Sequence, residues 1–291
     1  MRCEDRSYRG GIKVKKIIRV LTSFIIILGI LITCYPVISQ IYYNIINKQE
    51  IIDFNSGSKT LSESEISNRI VLARDYNKSL RNVTITDPYT REKIEKGLKE
   101  YARMLEINEK IGSISIPAIG VNLPIFAGTS ENVLQKGVGH LEGTSLPIGG
   151  KNTHSVLTAH TGLPKNRLFT DLNKVKIGHK FFITNIKEVI AYEVDSITVI
   201  TPTQIDKLAI IPGKDYVTLL TCTPYMINSH RLLVRGHRVP YHPKDKETNL
   251  RTAIFNIPIL YIAISFIILI LSFILFKMKL KRLSAKDRRM P

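Results

Sequence analysis

The run Tyr216-Val217-Thr218-Leu219-Leu220-Thr221-Cys222-Thr223-Pro224-Tyr225-Met226-Ile227-Asn228-Ser229-His230-Arg231-Leu232-Leu233-Val234 reads as strand, loop, strand. Its first segment is rich in β-branched and aromatic residues and ends on a cysteine, while the second begins at His230 and Arg231. If the two strands are neighbours, the hairpin returns Arg231 to the side of Cys222. A thiol at a strand end beside a cation has the electropositive, part-exposed setting in which cysteines react. Arginine is also a permanently protonated donor that can hold an oxyanion or orient a peptide carbonyl.

Outward from this hairpin the sequence keeps the same grain. Ser113–Pro117, Val121–Phe126, Ser155–Ala159, Lys180–Ile186, Val189–Val194 and Ile197–Ile200 join Tyr216–Cys222 and Arg231–Arg238 as short β segments. Separated by Gly, Pro and Asn clusters, they predict a closed or nearly closed barrel. Short helical turns fit at Ser130–Gln135, Leu168–Leu172 and Thr203–Leu208. Upstream the period is helical. Ile66, Ile70, Val71 and Ala73 follow the cap candidates Ser62 and Ser64, and a second helix is predicted from Lys93 to Leu105. Asp87-Pro88 breaks the chain between them.

A cysteine nucleophile needs a proton shuttle, normally histidine. The chain has seven histidines. His160 lies at a strand-to-loop edge, before Thr161-Gly162-Leu163. His230 and His237 flank the last strand, and their odd separation sends them to opposite faces. His140, His154, His179 and His242 fall in loops or at loop borders. Residue type alone does not choose among them. No Cys/His spacing matches a zinc pair, no glycine-rich phosphate loop occurs, and no carboxylate cluster suits calcium, so no cofactor is expected.

Two stretches stand apart from the barrel. Residues 20–47 and 252–276 carry no charge and are dense in Ile and Leu, long enough to span a bilayer core that needs roughly 20 apolar residues. The first exceeds a signal-peptide core and no A-x-A site follows it, which favours an uncleaved anchor. Residues 1–19 have a net charge of +5 and residues 277–291 of +6. Basic flanks stay cytoplasmic, so both ends are expected inside, with the intervening domain outside the cell. The tails hold most of the overall +18, and no nucleic-acid motif accompanies the rest, which argues against a nucleic-acid partner. Of three cysteines, Cys3 and Cys34 fall in the tail and first span, leaving Cys222 alone in the outer domain. That domain has no disulfide available, and an unpaired thiol exposed to oxidation suggests use.

These residues resemble a known family. Thr218-Leu219-Leu220-Thr221-Cys222 resembles the T-L-x-T-C signature of sortases, transpeptidases of Gram-positive cell surfaces. Thr158-Ala159-His160-Thr161-Gly162 looks like their histidine segment, and Arg231 matches the arginine that follows the cysteine. The string from Cys222 to Tyr225 and on from His230 to Gly236 is similar to the class C, pilus-building branch. The resemblance implies an eight-stranded sortase-type β-barrel with short helices. It implies Cys222 as nucleophile, His160 as general acid toward the leaving amine, and Arg231 as stabiliser of substrate and oxyanion. The reaction implied is cleavage of an LPxTG-like sorting signal between Thr and Gly, followed by transfer of the thioacyl group to an amine. In class C enzymes that amine is a pilin lysine. Class C enzymes also carry a D-P-aromatic lid, and Asp87-Pro88-Tyr89 sits where that lid belongs. Asp87 would then pair with Arg231 and Tyr89 would cover Cys222, although Trp or Phe is more usual than Tyr there.

The expected layout is a basic tail (1–19), a transmembrane helix (20–47), and an extracytoplasmic helical segment with the lid loop (48–110). The catalytic barrel (111–245), a linker (246–251), a second transmembrane helix (252–276) and a second basic tail (277–291) follow. Expected partners are pilin or surface-protein precursors with an LPxTG-like signal, and the cell membrane. The competing readings are a class A or B sortase that attaches proteins to peptidoglycan, and a non-enzymatic surface domain with an incidental thiol.

Overall fold

The computed structural model describes residues 4–80, 87, 89, 100–163, 166–247 and 278. The expected second span (252–276), Pro88 and the first part of the expected helix from Lys93 lie outside the described residues. The chain divides into two compact units, Met1–Ser39 with Phe255–Pro291, and Gln40–Ile254. Helix α1 (Glu4–Lys59) begins in the first unit and carries exposed apolar side chains there. Phe24, Ile25, Leu31 and Ile32 are all more than half exposed. Among the described residues α1 is the helix long and apolar enough, over Val20–Lys59, to cross a membrane. It runs on past the expected boundary at residue 47 without a break.

The second unit starts with the end of α1 and helix α2 (Glu63–Ser79). Of the two cap candidates, Ser62 is the one used: its hydroxyl accepts the Glu65 backbone N–H at 3.2 Å. Phe54 of α1 and Ile70 and Ala73 of α2 are buried in the main core with Leu105, which ends a 3-10 turn at Glu100–Leu105. Asn77 locks α2 to the barrel. Its side-chain amide donates to the Leu146 carbonyl at 3.2 Å, and its oxygen accepts the Leu146 N–H at 2.7 Å. A buried amide paired on both ends holds a helix in one register, because slippage would leave both groups unsatisfied.

The barrel follows as β1 (Lys110–Ile116), β2 (Val121–Ala127), helix α3 (Glu131–Lys136), β3 (Val138–His140) and β4 (Thr153–Thr158). Then come β5 (Lys180–Thr184), β6 (Val189–Ile200), β7 (Asp215–Thr223), β8 (His230–Val239) and helix α4 (Pro243–Glu247). The sheet closes in the order β1-β2-β3-β4-β7-β8-β6-β5, so no edge is left unpaired. Eight strands were expected and eight are present, but the sets differ. β3 escapes sequence reading because Val-Gly-His is too short to alternate. The two segments expected at Val189–Val194 and Ile197–Ile200 are one strand, interrupted by an irregular register between Val194 and Ser196. That irregularity leaves Asp195 free to take the Arg235 Nε–H at 2.9 Å. The turn expected at Leu168–Leu172 is present as hydrogen-bonded turns over residues 168–171 that run into a 3-10 turn at Leu172–Lys174.

β7 is buried along nearly its whole length, from Tyr216 to Cys222. Val217 and Leu219 face the main core, with Phe181 and Tyr192 stacked 5.5 Å apart deeper in it. Leu220, on the other face, joins a smaller cluster with Leu141, Val156, Ile200, Leu208 and Leu233. Two-sided burial explains why β7 does not alternate strictly between apolar and polar residues. β7 also fixes the site, since its neighbours are β4 in parallel and β8 in antiparallel pairing.

Candidate active site

Cys222 and Arg231 are direct cross-strand partners on β7 and β8, so their side chains leave the same face. On the other side of β7, Thr158 of β4 lies opposite Leu220. The parallel pairing brings the chain two residues further on each strand, to His160 and Cys222, out at the same end of the barrel. The Ala159 N–H donates to the Leu220 carbonyl at 3.3 Å, and the Thr221 hydroxyl donates to the Ala159 carbonyl at 2.7 Å, holding the histidine segment against the cysteine strand. His160 itself is just past the strand end, not on it. The structure thus gathers His160, Cys222 and Arg231 from three adjacent chain segments. Of the other histidines, His140 and His154 are buried in the barrel wall with hydrogen-bond partners of their own.

Asp87 and Tyr89 lie over this end. The Arg231 guanidinium donates from Nε to Asp87 Oδ1 and from Nη2 to Asp87 Oδ2, each at 2.9 Å. This is a bidentate fork, and the side chains are only 8% and 5% exposed. The third nitrogen, Nη1, donates to the Asn228 and His230 carbonyls at 3.0 and 3.1 Å. Tyr89 puts its ring 4.9 Å from the Arg231 guanidinium carbon and 5.7 Å from the His160 ring. Its hydroxyl donates to the Ala159 carbonyl at 2.9 Å and lies 2.8 Å from the Thr158 hydroxyl. The ring also packs on the smaller core cluster. An exposed Asp-Pro turn would show none of these contacts.

The charges respond accordingly. Burial pushes the Cys222 thiol up, Arg231 pulls it down, Asp87 pushes it up again, and the Tyr89 hydroxyl lowers it; the net direction is up. Burial is the largest single influence and works against the Arg231 charge, but the bond to Asp87 together with the charges of Cys222, Asp87 and Tyr89 outweighs it, and the guanidinium holds its proton more tightly than usual. Tyr89 is held firmly neutral, chiefly by burial. In this arrangement the thiol is protonated and both of the guanidinium's forward donors are taken. Among the described residues no group of three His, Cys, Asp or Glu side chains could hold a metal ion.

The comparisons with known proteins agree on the architecture. A family model described as the sortase domain matches residues 114–239. The structure of sortase C-1 from Streptococcus pneumoniae is 61% identical, with a TM-score of 0.65, over 67% of this chain and 100% of that one. This chain belongs to the sortase family. A pilus-related sortase C of Group B Streptococcus is 60% identical, with a TM-score of 0.62, over 65% of this chain and 96% of that one. Sortase A of Streptococcus agalactiae is 35% identical over 117 residues, which are 39% of this chain and 47% of that protein. The match to this curated relative thus spans about half its length. Sortases are cysteine transpeptidases, and both of these solved sortases carry the sortase C name.

Sequence reasoning missed several residues of this sortase's site. Asn228 contributes only a backbone carbonyl, which any residue type supplies. Thr158 lies within the histidine segment and could have been named from it. Glu131, whose Oε2 lies 3.3 Å from His160 Nε2, gives no signal in sequence beyond an acid at a helix start.

Proposed function

We propose that this sortase is membrane-anchored and builds pili: it cleaves an LPxTG-like signal between Thr and Gly and passes the acyl group to a pilin lysine. The observation that carries the reading is the strand register that sets Cys222 opposite Arg231, with His160 leaving the barrel at the same level. Once Asp87 withdraws, Arg231 has two donors free for the substrate carbonyl. The Cys222 sulfur, as thiolate, adds to the threonine carbonyl carbon and Arg231 stabilises the resulting oxyanion. The C–N bond then breaks as His160 gives its proton to the departing glycine amine. The lysine amine attacks the thioester, returns a proton to His160 and releases the Cys222 sulfur. Asp87 and Tyr89 act as a lid that keeps this machinery closed until substrate arrives.

The layout expected from sequence completes the proposal. Two spans with basic tails place both termini inside and residues 48–251 outside, close to where secreted precursors emerge. Held near the membrane, donor and acceptor meet at raised effective concentration, which favours aminolysis over hydrolysis. Protease added to wall-stripped cells should digest the middle domain and spare both tails; loss of the C-terminal tail would reverse the orientation.

A wall-anchoring role is the second reading, supported by the Sortase A name of the curated relative at 35% identity. The higher identity of the sortase C structures and the lid geometry support the pilus reading instead. A deletion strain separates them. The pilus reading expects the high-molecular-weight pilin ladder to vanish while other wall proteins stay attached. A persisting ladder with LPxTG proteins shed into the medium would support wall anchoring and overturn it.

A further inference from the structure

We infer that Glu131 is a positioning residue for His160: its carboxylate takes the imidazole Nε2–H and leaves Nδ1 to exchange protons with the reacting atoms. The inference rests on the proposed role of His160 as proton carrier. Glu131 Oε2 lies 3.3 Å from His160 Nε2, and the other oxygen, Oε1, accepts the Gln135 side-chain N–H at 2.6 Å one turn along α3. Both carboxylate oxygens are therefore engaged, and the side chain is steered rather than free. The platform is firm as well. Val133 and Leu134 of α3 are buried, and they lie so close to Gly139 of β3 that a Cβ there would sit 3.3 and 3.0 Å from their methyl carbons.

An acid in the first turn of a helix has an ordinary explanation in the helix dipole. That explains an acid at this position but not its orientation toward a histidine from another segment. An imidazole has two nitrogens, and a bond at Nε2 fixes both the ring plane and the tautomer. The neutral ring then presents a bare Nδ1. In the acylation step Nδ1 accepts the proton of the Cys222 thiol and later delivers it to the glycine amine as the C–N bond breaks. Glu131 gains and loses no proton; it offsets the positive charge while the imidazolium exists. Among the described residues, the lid's Tyr89 also packs against His160, and Asp87, Cys222 and Arg231 act on Tyr89 in turn. A carboxylate beside an imidazole holds the ring in one orientation, so removing it slows proton transfer. Because the Glu131 side chain is 44% exposed, solvent screens the effect and limits its size.

The test uses the full-length chain with an LPxTG peptide and a lysine-containing acceptor. Glu131→Gln should lower kcat about 10-fold and leave KM within about two-fold. Glu131→Asp should recover part of kcat, since it restores the charge, and thermal unfolding should be unchanged in both. NMR of 15N-histidine-labelled chain needs no substrate, and the neutral His160 ring should carry its proton on Nε2 in the wild type and a mixture of tautomers in Glu131→Gln. Wild-type kcat with an unchanged His160 tautomer in Glu131→Gln would overturn the role of Glu131. If the wild type forms no acyl-enzyme, the transpeptidase reading falls instead, and the NMR tautomer readout still decides whether Glu131 holds His160.

Discussion

Asp87→Ala should release the lid, and the structure sets the size of the effect. Exposed ion pairs contribute about 0–1 kcal/mol, which would change the open population only several-fold. The Asp87–Arg231 pair is not exposed: both of its hydrogen bonds are 2.9 Å long and its side chains are 8% and 5% exposed. Hydrogen bonds to charged groups contribute about 1.5–3 kcal/mol each, and rehydration of both groups on opening offsets part of that. A net shift of about 2–3 kcal/mol is expected, or about 30- to 150-fold in the open population. Cys222 is 9% exposed behind the lid, so its alkylation rate reports that population when closure is fast. Peptide mass spectrometry of the full-length chain separates labelling at Cys222 from labelling at Cys3 and Cys34. Removing Asp87 also relieves its upward push on the thiol, which accelerates labelling in the same direction. The two effects part with pH, because a change in the thiol moves the pH profile whereas lid opening raises the rate at every pH. Tyr89→Ala should act likewise, through loss of the ring contacts and hydroxyl bonds. Labelling rates within about two-fold of wild type in both variants would refute the lid.

Acid should destabilise the barrel through its buried histidines. Burial lowers His140 from 6.5 to about 4, with its ring nitrogen donating to the Ser145 carbonyl at 2.8 Å, and burial lowers His154 too. The folded state therefore binds fewer protons than the unfolded chain between about pH 6.5 and 4, so stability falls as pH drops through that window and levels off below it. His140 accounts for about 3 kcal/mol of the loss; a flat denaturation midpoint across the window would contradict the assignment. Gly112→Ala should destabilise by about 1–3 kcal/mol, because a Cβ there would lie 2.6 Å from the Thr184 carbonyl oxygen and force β1 from β5. An unchanged melting temperature would show that the strands yield more easily than this packing implies.

Much of the barrel was legible because its strands are short, bounded by turn residues and rich in β-branched side chains. The agreement on strand number hides two errors that cancel. β3 is three residues of Val-Gly-His and carries no periodic signal, while β6 looked like two strands because Asp195 interrupts its alternation. The Cys222–Arg231 pairing was legible because hairpin neighbours return to each other within a few residues. The place of His160 was not, since it depends on the parallel β4–β7 pairing between segments about 60 residues apart, which no local pattern encodes. Only the family resemblance singled it out from seven histidines. Asn77 and Glu131 were invisible for the same reason: their partners, Leu146 and His160, are distant in sequence. The shielding of Asp87 was also beyond local reading, because a D-P turn gives no sign of whether a cation waits beneath it.

The central claim is that Cys222 carries the acyl group, and intact-mass spectrometry of the full-length chain tests it directly. The chain would be incubated with an LPxTG peptide and no acceptor amine, in wild-type form and with Asp87→Ala to free the lid. The account predicts a mass gain equal to the peptide up to its threonine, located at Cys222 by peptide mapping and discharged when a lysine amine is added. Cys222→Ala should show no gain and an unchanged melting temperature. An adduct that persists in Cys222→Ala, or a lid-free chain that never acquires one, would contradict the account.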